Sequence, residues 1–168
     1  MSITSATPPV TPAFNHLTGS DTYFEDFTAG QQLRHMRGKT IGETETVTLA
    51  HITMNSAQGH FNAHAMSATK FGCRVTFGGV TAAIVVGLAS QDTSENALQE
   101  LSLDKLRLKV PVVEGDTLYS VTEILDCAPA ERADAGVVTF KHYGFNQRDE
   151  IVCELERRVL IRRRPERK

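Results

Sequence analysis

Tryptophan is absent, and cysteine occurs three times, at Cys73, Cys127 and Cys153, far apart and with no Cys-x-x-Cys pair. That excludes a disulfide framework or a cysteine-based zinc site and predicts reduced, mostly buried thiols in a cytoplasmic protein. No run reaches the roughly 18 apolar residues of a spanning helix, so no membrane segment is expected. Neither sign of charge dominates: the net charge of −2 leaves no basic excess for tracking a nucleic-acid backbone. There are only six prolines, and Pro8, Pro9 and Pro12 fall in a Ser/Thr-rich start with no basic-then-apolar leader. Residues 1–20 are therefore expected to form a flexible arm, 21–162 one domain, and 163–168 a basic tail. At 168 residues the chain can bury one real core but not two comfortable ones. The tail carries two readings: a solvated chain end, or arginines that meet the phosphates of a nucleotide-containing ligand.

What is present changes in texture along the chain. Gln31–Thr40 reads as a first strand broken by Gly42, and Glu43–Met54 as a helix with Thr44 or Thr46 as a cap. Asn55–Gly59 is a polar loop, His60–Phe71 a short helical stretch closed by Gly72. Gly78–Ser90 is apolar almost all round, which with its alanines predicts a helix buried on most sides, Gly87 allowing a close neighbour. Gln91–Asn96 reads as a cap and loop. Leu103–Val110, Thr117–Cys127, Gly136–Asn146 and Glu150–Ile161 alternate with a period of two, the mark of strands with one buried face. In the last of them Ile151, Cys153, Leu155, Val159 and Ile161 share one face. Arg107 and Lys109 are expected on the solvent face of theirs. The plan is α+β: a curved antiparallel sheet wrapped around a long central helix. Open edges on such a sheet make a homodimer, or a higher homo-oligomer, the default expectation.

Protonatable groups concentrate in the loop Asn55-Ser56-Ala57-Gln58-Gly59-His60-Phe61-Asn62-Ala63-His64. A histidine opening a helix has its cationic form disfavoured by the dipole and is kept as a neutral base. The plainer reading makes His60 and His64, four apart on one helical face, a cap and a surface residue. No HExxH and no nearby carboxylate or cysteine completes a metal site, so none is expected. Gly78-Gly79 opens the apolar helix, where unpaired N–H groups can receive a carbonyl oxygen that gains charge. Cys73, beside Arg74, is read as structural.

Four segments then carry a resemblance: Tyr23-Phe24-Glu25-Asp26-Phe27-Thr28-Ala29-Gly30, the histidine loop, Arg74-Val75-Thr76-Phe77-Gly78-Gly79-Val80-Thr81, and Leu106 through Leu118 with its Pro-Val-x-x-Gly-Asp-Thr-Leu ending. From Tyr23 to Ile161 the chain resembles the MaoC-like dehydratases, the (R)-specific enoyl-CoA hydratase branch of the hotdog superfamily. Thr53-Met54-Asn55 and Val85-Val86-Gly87-Leu88 look most like its mesaconyl-CoA hydratase branch. The resemblance implies a single hotdog fold, a dimer, and a pantetheine tunnel near the subunit interface. It implies an acyl-CoA hydratase or dehydratase (a lyase) acting on 2-enoyl or 3-hydroxyacyl-CoA, branched and dicarboxylic ones included, with no cofactor beyond the CoA of the substrate.

The family's Asp-x-Asn-Pro-Leu-His motif, laid on this chain, puts its histidine on His60 and its aspartate on Asn55, with Ala57, Gln58 and Gly59 in place of Asn-Pro-Leu. The glycine whose N–H faces the thioester oxygen falls on Gly78, preceded by Phe77 where the family has His or Asn. His60, Asn55 and Gly78 are thus the expected catalytic set. Gln58, Asn62, His64, Phe77 and Gly79 are the expected substrate contacts, Gln58 and Asn62 holding water or a substrate carboxylate. Asn55 cannot accept a proton, so the two-residue acid/base device is halved. That leaves two alternatives: an acyl-thioester binder repurposed for isomerisation or other enolate chemistry, or a thioesterase, which would want a carboxylate the loop does not offer.

Overall fold

The computed structural model describes residues 22–165. The arm expected over 1–20 and the last three tail residues lie outside the described residues.

Three long strands form where the two-residue alternation is cleanest: β4 (Thr117–Pro129), β5 (Ala135–Phe145) and β6 (Ile151–Arg162). The β5–β6 connection is built from turn chemistry. Asn146 Oδ1 accepts from the N–H groups of Arg148 and Glu150, and Asp149 takes a left-handed φ of 59°. Asp116 stands beside that turn. Burial alone would push its carboxyl up, but Gln147, the Val113 N–H and Arg148 outweigh it and hold the carboxyl below its usual range.

The antiparallel order is β1 (Gln32–Arg34), β4, β5, β6, β3 (Ala97–Leu108), with β2 (Lys39–Thr40) also pairing with β4. The expected first strand is therefore two short ones. His35 keeps its N–H on the Ser120 carbonyl but turns its ring inward, and the chain leaves the sheet before Lys39. The third strand begins six residues earlier than expected. Three register shifts interrupt its alternation, and as an edge strand it leaves Leu101, Leu103, Leu106 and Leu108 between 38% and 59% exposed.

The helix expected over Gly78–Ser90 is α3, Gly78–Thr93. It crosses the strands: Gly78 lies against Leu108 of β3, Val85 against Gly144 of β5, and Asp92 reaches His35 beyond β1. A Cβ on Gly144 would collide with Val85, so only glycine admits the helix this close. Gly87, by contrast, is exposed and has nothing near it, so it serves no close packing. Of the segment read as a cap and loop, Gln91–Thr93 is instead the helix's last turn, while Ser94 is its C-cap and a turn follows. Asp92 and Thr93 are buried because Asp92 Oδ2 takes the His35 Nδ1–H at 2.7 Å. His35 Nε2 and His142 Nδ1 each lie 2.7 Å from Thr122 Oγ1, so a buried polar row continues under the helix.

That row separates two apolar clusters. One gathers Phe27, Leu33, Ile124, Val138, Phe140, Val159 and Ile161; the other Ile41, Val85, Val112, Leu118, Val152, Cys153 and Leu155. Fully burying each such side chain contributes about 1.5–3 kcal/mol. Burial also pushes the Cys153 thiol up to about 11. Cys73 departs from expectation: it is exposed.

The described part of the basic tail is not frayed. Arg163 bonds Glu25 and lies over the Phe24 ring; Arg164 bonds Asp26 and lies over the Tyr23 ring. These two guanidinium groups are spent on the aromatic-acidic segment. Among the described residues no helix is long and apolar enough to cross a membrane.

Candidate functional site

The site is built from a loop, a strap and a helix start. The helix expected over Glu43–Met54 is present, as a π-helical stretch, Thr44–Thr48, that runs without a break into α1 (Leu49–Ile52). Neither Thr44 nor Thr46 caps it: Glu45 takes the Gly42 N–H, while Thr46 is buried against the Thr76 hydroxyl. Thr53 ends α1 by bonding the Leu49 and Ala50 carbonyls, and Met54 turns left-handed at φ 60°. Asn55 follows half-buried, its Oδ1 accepting the Ala57 N–H at 3.0 Å.

Gln58–His60 is then a single tight turn, separate from the helical stretch expected over His60–Phe71. Its position is set by Val75, which exchanges two bonds with it. The Val75 N–H donates to the Gly59 carbonyl at 3.0 Å, and His60 Nδ1 lies 2.6 Å from the Val75 carbonyl. A carbonyl only accepts, so Nδ1 carries a proton, and in the neutral ring the lone pair is on Nε2. It is this bond, rather than a helix dipole, that sets the tautomer. The ring packs on Phe77, centroids 5.6 Å apart, beside the start of α3.

Val75 is itself held. It bridges to Val113, Thr76 N–H bonds the Val112 carbonyl, and Arg74 spans Glu43 and Glu114. Arg74 and the Val75 carbonyl are the functional contributors that sequence reasoning missed. A backbone carbonyl has no signature in a sequence, and the arginine's partners lie 31 and 40 residues away.

Helix α2 (Ala63–Ser67) begins only after Asn62, whose Oδ1 caps it by accepting the Ala65 N–H. His64 lies exposed in α2, so it shares no helical face with His60. Asn62 Nδ2 donates to Gln58 Oε1 at 2.7 Å, so these two amides bond each other and Asn62 has both ends occupied.

At Gly78 the helix starts with N–H groups that no preceding turn can satisfy. A Cβ there would strike Leu108, and one on Gly79 would press the Phe77 ring at 2.8 Å. His60, Phe77, Gly78 and Gly79 are thus brought together: a bare imidazole nitrogen beside a helix start that presents donors. Asn55 and Gln58 stand on the adjoining loop, and His64 stands apart. Among the described residues no three His, Cys, Asp or Glu side chains could jointly hold a metal.

The family model described as mesaconyl-CoA hydratase matches residues 5–163. The mesaconyl-CoA hydratase of Haloarcula marismortui is 34% identical over 152 residues, covering 84% of this chain but 42% of that protein. This chain therefore spans less than half the length of that curated relative. A putative MaoC domain protein dehydratase from Chloroflexus aurantiacus superposes with a TM-score of 0.81 at 26% identity, over 88% of this chain and 46% of that one. A Mycobacterium tuberculosis protein described as a double hotdog fold superposes with a TM-score of 0.73 at 21% identity, over 88% of this chain and 46% of that one. The sheet wrapped on α3 is a hotdog fold, and the chain belongs to the mesaconyl-CoA hydratase family.

Proposed function

We propose that the chain hydrates 2-enoyl-CoA thioesters and dehydrates the corresponding 3-hydroxyacyl-CoA, with branched and dicarboxylic acyl groups, mesaconyl- or itaconyl-CoA among them, in its range. The observation that carries this is the His60 Nδ1 bond to the Val75 carbonyl, which leaves Nε2 bare beside the start of α3. In the forward direction the water oxygen bonds C3 and gives a proton to His60 Nε2. The C2=C3 electron pair moves toward the thioester carbonyl, and its oxygen, now carrying charge, accepts from N–H groups at Gly78 and Gly79. His60 then returns the proton to C2. Asn55 holds the water through its amide N–H groups, since its oxygen already accepts from Ala57. Phe77 orients the imidazole. Gln58, through its own N–H groups, and the Gly79 backbone contact the acyl thioester. His64, exposed on α2, is the weakest of the substrate contacts. No cofactor beyond the substrate's CoA enters these steps.

The partner we infer is a second copy of the chain. It is supported by the twelve-residue edge of β3, which pairs on its outer side with no strand among the described residues and carries four partly exposed leucines. Free cysteines support a cytoplasmic setting.

The test is a panel of linear, branched and dicarboxylic 2-enoyl-CoA thioesters in heavy water, read by mass. A gain of one water that His60→Ala abolishes is expected; release of free CoA would make the protein a thioesterase instead. One observation favours a second reading. The Asn55 oxygen is used by its own loop and takes no proton, so His60 is a lone base, which is enough for isomerisation. Asn55→Asp separates the two. In a hydratase it changes the rate a few-fold, because an aspartate oxygen still accepts the Ala57 N–H. In an isomerase or binder it creates hydration where the parent shows none.

A further inference from the structure

The buried row under α3 extends further than its hydrogen bonds. Asp92 accepts from His35, and His35, Thr122 and His142 follow at 2.7 Å each. At its other end Arg157 of β6, 6% exposed, gives Nε and Nη2 to Glu100 of β3. In sheet order the side chains are His35 beyond β1, Thr122 on β4, His142 on β5, Arg157 on β6 and Glu100 on β3: one per strand across the whole concave face. His142 pairs with Leu155 and Arg157 with Phe140, so the two are diagonal neighbours on one face. Between them the chain of bonds is incomplete. His142 Nε2 and Arg157 Nη1 are both buried and neither has a hydrogen-bond partner among the described residues.

The two atoms are complementary. Burial drives the His35 and His142 rings toward the neutral form. With His35 neutral, its Nδ1–H goes to Asp92, so Nε2 accepts from the Thr122 hydroxyl. Thr122 in turn accepts from His142 Nδ1–H, and His142 Nε2 is left with a lone pair. Since Nδ1 faces Thr122 on β4, Nε2 turns toward β6, where Arg157 Nη1 offers N–H. We propose that Arg157 and His142 form a site for one hydroxylic oxygen, a group that accepts from Nη1 and donates to Nε2.

This chemistry excludes the obvious occupant of a buried arginine. A carboxylate brings no proton for the imidazole lone pair, and Glu100 already neutralises the guanidinium. Arg157 is therefore not the clamp for a second substrate carboxylate. Two sources can supply the oxygen: a buried water, or the hydroxyl of a bound acyl chain. Leu108, beside Gly78, pairs with Cys153, four residues before Arg157, so the site lies about 13 Å along β6 from the helix start. A 3-hydroxyl does not span that; only the far end of a long acyl chain would. The acyl source rests on the hydratase reading, while the water source is independent of it.

Crystal structures of the free protein and of its complex with a CoA thioester bearing a terminal hydroxyl distinguish the sources. An oxygen within hydrogen-bond distance of both atoms in the free protein is water and supports the site. One that appears only in the complex belongs to the acyl chain and supports it too. A direct Nη1 to Nε2 bond, or apolar atoms between them in both crystals, overturns it. Nitrogen NMR of the histidine-labelled protein reads the same site in solution: His142 with the proton on Nδ1 is expected, and a proton on Nε2 overturns the assignment. If the thioester fails to bind, the hydratase reading suffers while the free-protein result stands.

Discussion

His60 and His142 are wired alike. Each donates from Nδ1 to an oxygen, the Val75 carbonyl or the Thr122 hydroxyl, and each keeps a lone pair on Nε2. Yet His60 is half-buried on a loop beside the start of α3, whereas His142 is fully enclosed between that helix and the sheet. Desolvation, helped by Arg157 and His35, drives His142 well below the usual histidine range. On the proposed function, what separates a base for substrate from a structural group is access to Nε2, not tautomer.

The comparison can be broken by experiment. The largest effect is expected from His60→Ala, which should lower kcat/KM for hydration at least about 100-fold while leaving the urea midpoint nearly unchanged. His142→Leu should do the reverse. Activity per folded molecule stays close to the parent, and stability falls by about 1–3 kcal/mol because buried Thr122 loses a donor. Equal activity losses in both variants would erase the distinction.

Acid should expose the same contrast. Folded-state values of His35 and His142 are lowered, so the unfolded chain binds more protons below the unfolded histidine value of about 6.5. Their contribution to stability is complete above that pH and is lost progressively as pH falls below it. Urea midpoints measured from pH 8 to pH 5 should decline in the acid half, and His142→Leu should flatten the decline. The smallest effect on stability is expected of Gly78→Ala. The added methyl meets Leu108, a side chain 56% exposed that can swing aside, so the cost stays within about 1 kcal/mol. Hydration should nonetheless slow through kcat, because the added methyl crowds the N–H donors at the helix start.

The strands β4 to β6 were legible to within one or two residues because each buries one face and so prints a period of two. The central helix was legible from its all-round apolar text, but its last turn was not. Gln91-Asp92-Thr93-Ser94 looks like a polar exit, and Asp92 is buried where His35, 57 residues away, meets it. The start of β3 was hidden for the opposite reason: an edge strand with bulges has no single buried face to alternate. At the site, the resemblance singled out His60 and Gly78, and the structure sets them near one another through Phe77. The group that orients His60 was illegible, being a main-chain oxygen.

The polar row across the sheet also acts on how the chain finds its register. A slip of one residue between β4 and β5 would turn Thr122 or His142, whichever strand moves, to the convex face, and the apolar alternation alone forbids that. A slip of two keeps every face correct and replaces one aliphatic contact by another, so valines and isoleucines discriminate against it weakly. Thr122 opposite His142, with His35 and Asp92 in line, registers the difference, as does Gly144 beneath Val85. Shifted by two, the row would leave several buried donors and acceptors unpaired, each costing about 1–3 kcal/mol. The interior polarity thus works as a key cut into the sheet: it adds little attraction of its own, but one alignment of the strands fits it and the near misses do not.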